Sequence, residues 1–213
     1  MPEQVKTRSY RSPQRRERAA ATRLSVLAAA RDLLMDKGYA ATTVAEVASR
    51  AGVSVDTVYA SAGRKPALVL AVIDMVLGGG DQPVPAEQRD YVRAIRAEPT
   101  ARGKIRVYAE AVARLVPRTA PLQEALRRAG DTDAACAQTW RRLVDRRAAN
   151  MLLFASDLRS TGDLRADLTD QQVADLAWST NAAEYWLLLD QRGWTPGQYE
   201  DLLVDVWSRL LLA

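Results

Sequence analysis

Residues 48–59 read ASRAGVSVDTVY and put a glycine inside a stretch that otherwise favours helix. Just upstream, Thr43 and Glu46 have the spacing of a capping box, which predicts a short helix that Gly52 ends. Ser54 is a favourable N-cap for a second short helix. The sequence therefore predicts two helices joined by a tight turn, with Gly52 supplying the positive φ angle that the turn requires.

The residues around this turn have a recognisable spacing. Ala48 is small where the helices must cross, Gly52 follows four positions later, and the apolar Val58 comes six positions after the glycine. Val53 and Val58 can fill the space between the helices. This is the spacing of a DNA-binding helix-turn-helix, whose second helix lies in the major groove.

The composition favours helix throughout the chain. Of the 213 residues, 48% are apolar and 26% are charged, and Ala, Leu and Arg are abundant. The length accommodates a small domain followed by a larger one. We therefore predict an all-α protein with an N-terminal three-helix helix-turn-helix domain, followed by a larger helical domain.

Several functional classes are disfavoured by what the sequence lacks. There is no histidine and a single cysteine, Cys136, so His-based catalytic triads, His-ligated zinc sites and an internal disulfide are excluded. There is also no glycine-rich phosphate loop, metal-ligand cluster or nucleophile–base pair. We expect neither an enzyme nor a bound cofactor or metal. No apolar run reaches 18 residues, so we expect no membrane span and a cytoplasmic location.

Positive charge is concentrated at the start of the chain. Residues 1–65 carry 12 Lys and Arg against 6 Asp and Glu, whereas residues 66–213 carry 18 against 20. A basic first third is typical of a segment that binds a polyanion, although a basic tail without a partner would have the same composition. We predict that residues 1–16 form a disordered basic arm whose arginines can reach phosphates or a groove: Arg8, Arg11, Arg15 and Arg16.

Glycine and proline divide the rest of the chain. Residues 17–65 form the predicted DNA-binding domain, and residues 66–213 the second domain, of which 66–77 is a connecting helix. The first helix is predicted at about 14–37, ended by Gly38. Further helices are predicted at 86–97, 103–116, 121–129, 132–158, 170–190 and 196–212.

Residues 24–77 resemble the TetR family of transcriptional regulators. The matching segments are AARDLLMDKGYAATTVAEVASRAGVSVDTVY and GRKPALVLAVI. The resemblance implies a homodimer that binds a near-palindromic DNA operator and is released from it by a small molecule. It also implies that the last two helices of each subunit, here 170–190 and 196–212, form a four-helix dimer interface.

The helix after the turn carries the predicted base contacts. Val55 can touch a thymine methyl, Asp56 can accept from cytosine N4, and Thr57 can bond a base or a phosphate. An acid in the first helical turn is equally explained by the helix dipole, and Thr57 by capping. The predicted phosphate contacts, for which capping, packing or solvation are the alternatives, are Thr42, Thr43, Arg50, Tyr59 and Lys65.

The ligand prediction starts from Arg147, a charge in the middle of an apolar stripe on helix 132–158. A buried charge must be paired, so Arg147 either binds an anionic group of an effector, forms an internal ion pair or extends to the surface. The other candidate pocket residues are aromatic, sulfur-containing or amide side chains that could instead be core or interface: Tyr108, Trp140, Met151, Phe154, Trp178, Asn181 and Tyr185. A DNA-binding regulator without an effector, or one controlled by a protein partner, is the main alternative.

Overall fold

A computed structural model of the protein describes residues 13–79 and 84–213. These residues form an all-α fold, which confirms the predicted fold class. The helices are α1 (Pro13–Ala41), α2 (Val44–Ala51), α3 (Val55–Ala62), α4 (Lys65–Leu77), α5 (Asp90–Ala97), α6 (Ala101–Ala129), α7 (Ala134–Arg159), α8 (Asp170–Thr180), α9 (Ala183–Asp190) and α10 (Pro196–Leu211), with a 3₁₀ turn at Ala86–Gln88.

The first helix begins close to its predicted start at about residue 14. Because α1 starts at Pro13, Arg15 and Arg16, which were also assigned to the basic arm, lie in its first turns. Proline suits a helix start because its missing N–H would have no helical partner there. The remainder of the predicted arm, residues 1–12 with Arg8 and Arg11, lies outside the described residues. Gly38 (φ 76°) interrupts α1 near the predicted end.

A single helix, α6, replaces the two predicted at 103–116 and 121–129. It continues through Pro117 and Pro121, although each proline removes a helical hydrogen bond. Buried side chains lie on both sides of the prolines: Leu115, Val116, Ala120, Leu122 and Leu126. Burial of this apolar surface offsets the lost backbone bonds, so tertiary packing overrides the local signal.

The predicted helix 170–190 is divided into α8 and α9. Two carbonyl groups at the end of α8 are used by side chains from other helices. The Tyr199 hydroxyl donates to the Thr180 carbonyl at 2.6 Å, and Arg147 Nη2 donates to the Trp178 carbonyl at 3.0 Å. Asn181 leaves helical geometry at φ −93° and ψ 10°. These long-range bonds satisfy carbonyls that a continuous helix would have used.

The described residues form two apolar cores, and α6 and α7 contribute side chains to both. The N-terminal core combines side chains of α1 to α4 with Leu122 of α6 and Leu143 of α7. The C-terminal core contains residues of α5 to α10, including the fully buried Tyr199, Leu203 and Trp207. The buried side of α4 therefore packs mainly in the N-terminal core.

Within residues 13–79 and 84–213, none of the helices combines the length and the apolar character that crossing a bilayer would require.

Candidate DNA-binding and effector sites

The turn between α2 and α3 has the predicted helix-turn-helix conformation. Gly52 is left-handed, with φ 67° and ψ 32°. Ser54 Oγ caps α3 by accepting a hydrogen bond from the Thr57 N–H at 3.1 Å. Ala48 and Val58 are buried where the two helices meet. These contacts hold α3 in a defined orientation on the rest of the domain.

The capping box at the start of α2 is also present. The Thr43 hydroxyl oxygen accepts from the Glu46 N–H at 3.1 Å, and Glu46 Oε2 accepts from the Thr43 N–H at 2.9 Å. Lys37 Nζ donates to Glu46 Oε1 at 2.7 Å, and this bond, with those from Thr43, lowers the pKa of Glu46 to about 2. Since the Thr43 donors already bond Glu46, the geometry favours capping over phosphate contact for this residue.

The face of α3 opposite the buried Val58 is open to solvent. Val55 is 36% exposed and Tyr59 46% exposed, and Asp56 is exposed between them. Thr57 is half-buried, and its hydroxyl lies 2.8 Å from Ser54 Oγ. These side chains lie at the N-terminal end of α3, where a recognition helix contacts base edges. Arg50 is exposed in the last turn of α2.

Lys65, the first residue of α4, packs on an aromatic ring. Its Nζ lies 4.1 Å from the centre of the Tyr39 ring, and burial lowers the pKa of Lys65. The Tyr39 hydroxyl lies 3.0 Å from Cys136 Sγ on α7, and burial raises the pKa of Tyr39. The Tyr39 ring therefore positions Lys65 beside α2 while its hydroxyl joins the N-terminal domain to α7, a contact that nothing in the sequence indicates.

Thr42 does not fit the predicted role of phosphate contact. Its side chain is 2% exposed, and its hydroxyl donates to the carbonyls of Leu33 and Gly38 at 3.1 and 2.8 Å. The hydroxyl proton is thus used inside the domain, where it satisfies carbonyls at the interrupted end of α1. We withdraw Thr42 as a candidate DNA contact.

A cavity of about 190 Å³ lies in the C-terminal domain between α5, α6 and α7. Its wall is mainly apolar and aromatic, with Tyr91, Tyr108 and Phe154 among the lining side chains. The Tyr108 ring lies 4.6 Å from the Phe154 ring and 6.4 Å from the Tyr91 ring, between centres. These rings provide an apolar aromatic wall of the kind that binds small organic molecules.

A polar network forms one side of the cavity. Asn181 Nδ2 donates to the Tyr108 hydroxyl at 2.8 Å, and Asn181 Oδ1 accepts from Arg147 Nη2 at 2.6 Å. Met151 Sδ accepts from the Tyr108 hydroxyl at 3.4 Å. Burial raises the pKa of Tyr108 and lowers that of Arg147. Among the predicted pocket residues, those that line this cavity are Tyr108, Arg147, Met151, Phe154 and Asn181.

The other three predicted pocket residues lie elsewhere. Trp140 packs against the N-terminal core. Trp178 lies beneath the Arg147 guanidinium, whose carbon is 5.4 Å from the ring centre. Tyr185 packs on Tyr199, with ring centres 6.2 Å apart. Helical spacing identifies residues on one face of a helix, but it does not say which neighbour that face meets, and these three predicted pocket residues do not line this cavity.

Polar residues that the sequence did not single out also line the cavity. Arg89 is 6% exposed and Gln123 is 5% exposed. Among the described residues, neither Nε of Arg89 nor Oε1 of Gln123 has a hydrogen-bond partner. Arg146 pairs with Asp74 of α4 through two bonds of 2.6 and 3.0 Å, and Arg89 Nη2 lies 3.6 Å from the same carboxylate. Arginines in polar stretches of a sequence are normally interpreted as exposed, so the sequence did not predict that these arginines line a cavity.

Residues 26–72 match the family model for bacterial regulatory proteins of the TetR family. No curated protein sequence matches the chain.

Solved structures resemble almost the whole chain. One, from Rhodococcus sp. and assigned to the TetR-family transcriptional regulators, is 18% identical, with a TM-score of 0.65 over 90% of this chain and 98% of that one. FadR from Bacillus subtilis in complex with stearoyl-CoA is 15% identical, with a TM-score of 0.66 over 86% and 96%. The SmeT–triclosan complex is 17% identical, with a TM-score of 0.67 over 91% and 92%. Residues 26–72, which contain the helix-turn-helix, thus match the TetR family in sequence, and the chain has the fold of the TetR-family transcriptional regulators.

Proposed function

We propose that the protein is a homodimeric transcriptional repressor that binds a palindromic DNA operator and is released by a small-molecule effector in the cytoplasm. One combination of features carries this proposal. The helix-turn-helix presents an exposed face of α3, and two arginines that line the cavity, Arg89 and Arg146, pair with Asp74 of α4, the helix that follows the helix-turn-helix. Ligands in two of the similar structures, stearoyl-CoA and triclosan, support effector control of this fold.

In the proposed complex, α3 reads the sequence and its neighbours bind the backbone. Val55, Asp56 and Thr57 are the base contacts, since they occupy the N-terminal end of the exposed helix. Arg50, Tyr59 and Lys65 are the phosphate contacts, which position the domain without specifying sequence.

Replacing Thr57 or Val55 with alanine should change which operator is preferred. Each side chain supplies one hydrogen bond or one methyl contact to a base, and loss of such a single contact costs about 0.5–1.5 kcal/mol for that base pair. Affinities for operators altered at single positions, measured by fluorescence anisotropy, should show relaxed discrimination at one position in each half-site. A uniform loss across all variants would instead assign these residues to the backbone.

Lys65→Ala should weaken binding to all DNA sequences similarly. Removing one phosphate contact lowers the dependence of log affinity on log salt by about one. Arg93→Ala is the matched control, because it also removes one positive charge but lies on α5, where Arg93 pairs with Asp90 in solvent. A loss confined to one operator sequence, at an unchanged salt dependence, would contradict the proposed role of Lys65.

The proposed dimer forms through α8, α9 and α10, which correspond to the predicted regions 170–190 and 196–212. Leu188 of α9 is 63% exposed and Leu210 of α10 is 46% exposed. Exposed leucines on the terminal helices are consistent with an isologous interface, in which the same apolar patch contributes from both subunits. Two copies of α3 would then meet two half-sites about one DNA turn apart.

The proposed release acts through Asp74. Arg89 and Arg146 line the cavity and also hold Asp74, which lies on the helix that leads directly from the helix-turn-helix. A ligand that accepts hydrogen bonds from Arg89 or Arg146 competes with Asp74. This competition weakens the contact between α4 and the C-terminal domain. Since an effector acts only through its preference for one conformation, this competition would supply the coupling free energy.

Selection of DNA fragments bound by the full-length protein, from the genome that encodes it, tests the proposal. We expect the bound fragments to share a near-palindromic motif, and the protein to leave that motif when the effector is added. Recovery of fragments with no common motif, at low ionic strength and with excess competitor, would contradict the proposed operator binding. A motif from which no small molecule releases the protein would favour the effector-independent regulator.

A further inference from the structure

We infer that the cavity takes a compact apolar anion, an aromatic or short-chain carboxylate, with its charged group bound by Arg147. This inference rests on the proposed effector-controlled function and specifies the chemical class of the effector. Three features of the cavity carry it: an arginine with no carboxylate partner and buried polar atoms with no hydrogen-bond partner, both within the part of the chain that the structure describes, and an aromatic interior.

Among residues 13–79 and 84–213, Arg147 has no carboxylate in direct contact. Its hydrogen bonds go to two neutral acceptors, the Trp178 carbonyl and Asn181 Oδ1, and its guanidinium also stacks on the Trp178 ring. Glu184 acts on it only through a longer-range charge interaction. A cation in these surroundings has lost water without gaining a counter-ion, and a bound carboxylate would supply one.

Two of the acids near the cavity, among the residues that the structure describes, are already paired with basic side chains. Asp74 pairs with Arg146, and Asp157 accepts from Lys104 Nζ at 3.0 Å. Glu87 also lines the cavity but is exposed at its edge. Positive charge is thus left over inside the cavity, which favours an anion and disfavours a cation.

Arg89 provides the second, independent indication of a ligand. Its side chain is 7% exposed, and its Nε has no hydrogen-bond partner among the described residues while the residue lines the cavity. Buried donors are normally satisfied by a protein group, a water molecule or a ligand. Oε1 of Gln123 is a buried acceptor without a donor among the described residues, and a hydroxyl group could donate to it.

The cavity volume is sufficient for a small aromatic molecule. A cavity of about 150 Å³ lined by apolar side chains holds a benzene ring. The cavity here measures about 190 Å³, which leaves room for one ring and a carboxylate. Tyr91, Tyr108 and Phe154 provide the surfaces on which an aromatic ring can pack.

Calorimetric titration of the DNA-free, full-length protein with phenylacetate, its neutral amide phenylacetamide, and the cation phenethylammonium tests the inference. We expect phenylacetate to bind at least about tenfold more tightly than the amide, because a charge-assisted hydrogen bond is lost in the amide. Phenethylammonium should bind most weakly.

Arg147→Gln should reduce phenylacetate affinity about ten- to hundredfold and leave the affinity for the amide nearly unchanged. Arg147→Lys should retain part of the preference, because it keeps the charge. Arg141→Gln removes the same charge from an exposed position on the same helix and should have no effect.

Three results would each overturn the inference: equal binding of the acid and the amide, a preference for the acid that survives in Arg147→Gln, or no binding of any of the three probes at millimolar concentration. Operator binding is measured on ligand-free protein, so the proposed DNA-binding function is tested independently of these titrations.

Discussion

Replacing Asp74 with alanine is expected to lower the free energy of unfolding by about 3 kcal/mol. The Asp74 carboxylate bonds Arg146 twice and lies 3.6 Å from Arg89, whose side chain is 7% exposed. Without Asp74, the buried guanidinium of Arg89 would have no counter-charge, and an uncompensated buried charge is costly. The expected value is at the low end for buried pairs because Arg146 is 39% exposed and keeps part of its hydration. Urea unfolding, followed by circular dichroism, measures this difference.

Asp90→Ala is the matched control for Asp74→Ala. It also removes a carboxylate paired with an arginine, but the side chains of Asp90 and Arg93 are 90% and 68% exposed. We expect a change below about 1 kcal/mol, as for exposed ion pairs and charges near helix starts. Equal effects of the two substitutions would mean that the Asp74 cluster does not hold α4 on the C-terminal domain.

Replacing Leu188 with aspartate is expected to weaken operator binding about a hundredfold. In the proposed dimer, two-fold symmetry places two copies of the new carboxylate in one apolar interface, where each loses hydration without a partner. The monomer would then contact one half-site at a time and lose the gain from simultaneous binding. Light scattering after size-exclusion chromatography gives the oligomeric state, and fluorescence anisotropy gives the operator affinity.

Leu152→Asp tests whether any exposed leucine has this effect. Leu152 is 40% exposed, but it lies on α7, outside the predicted interface. This variant should remain dimeric and bind the operator with little change. A Leu188→Asp protein that stays dimeric, or a Leu152→Asp protein that becomes monomeric, would show that the interface is not formed as proposed.

Local chemistry explains why the N-terminal domain could be predicted closely. Thr43, Glu46, Gly52 and Ser54 act within three or four residues of their own positions, so their hydrogen bonds and backbone angles depend little on the rest of the protein. The structure contains the expected capping box, left-handed turn and cap. The open face of α3 follows directly from this geometry. Thr42 was misjudged because its partners, such as the Leu33 carbonyl, belong to the preceding helix.

In the C-terminal domain, contacts between distant residues decided the outcome. Packing against two cores keeps α6 continuous through its prolines, and bonds from Arg147 and Tyr199 end α8 before residue 190. The cavity joins residues as distant as Arg89 and Asn181, which no local pattern connects. The sequence by itself therefore determined the helical class and the helix-turn-helix, because short-range caps and periodicity encode them. Only the tertiary structure decided the cavity, its unpaired arginine and the Asp74 link to α4, because these depend on which helix faces meet.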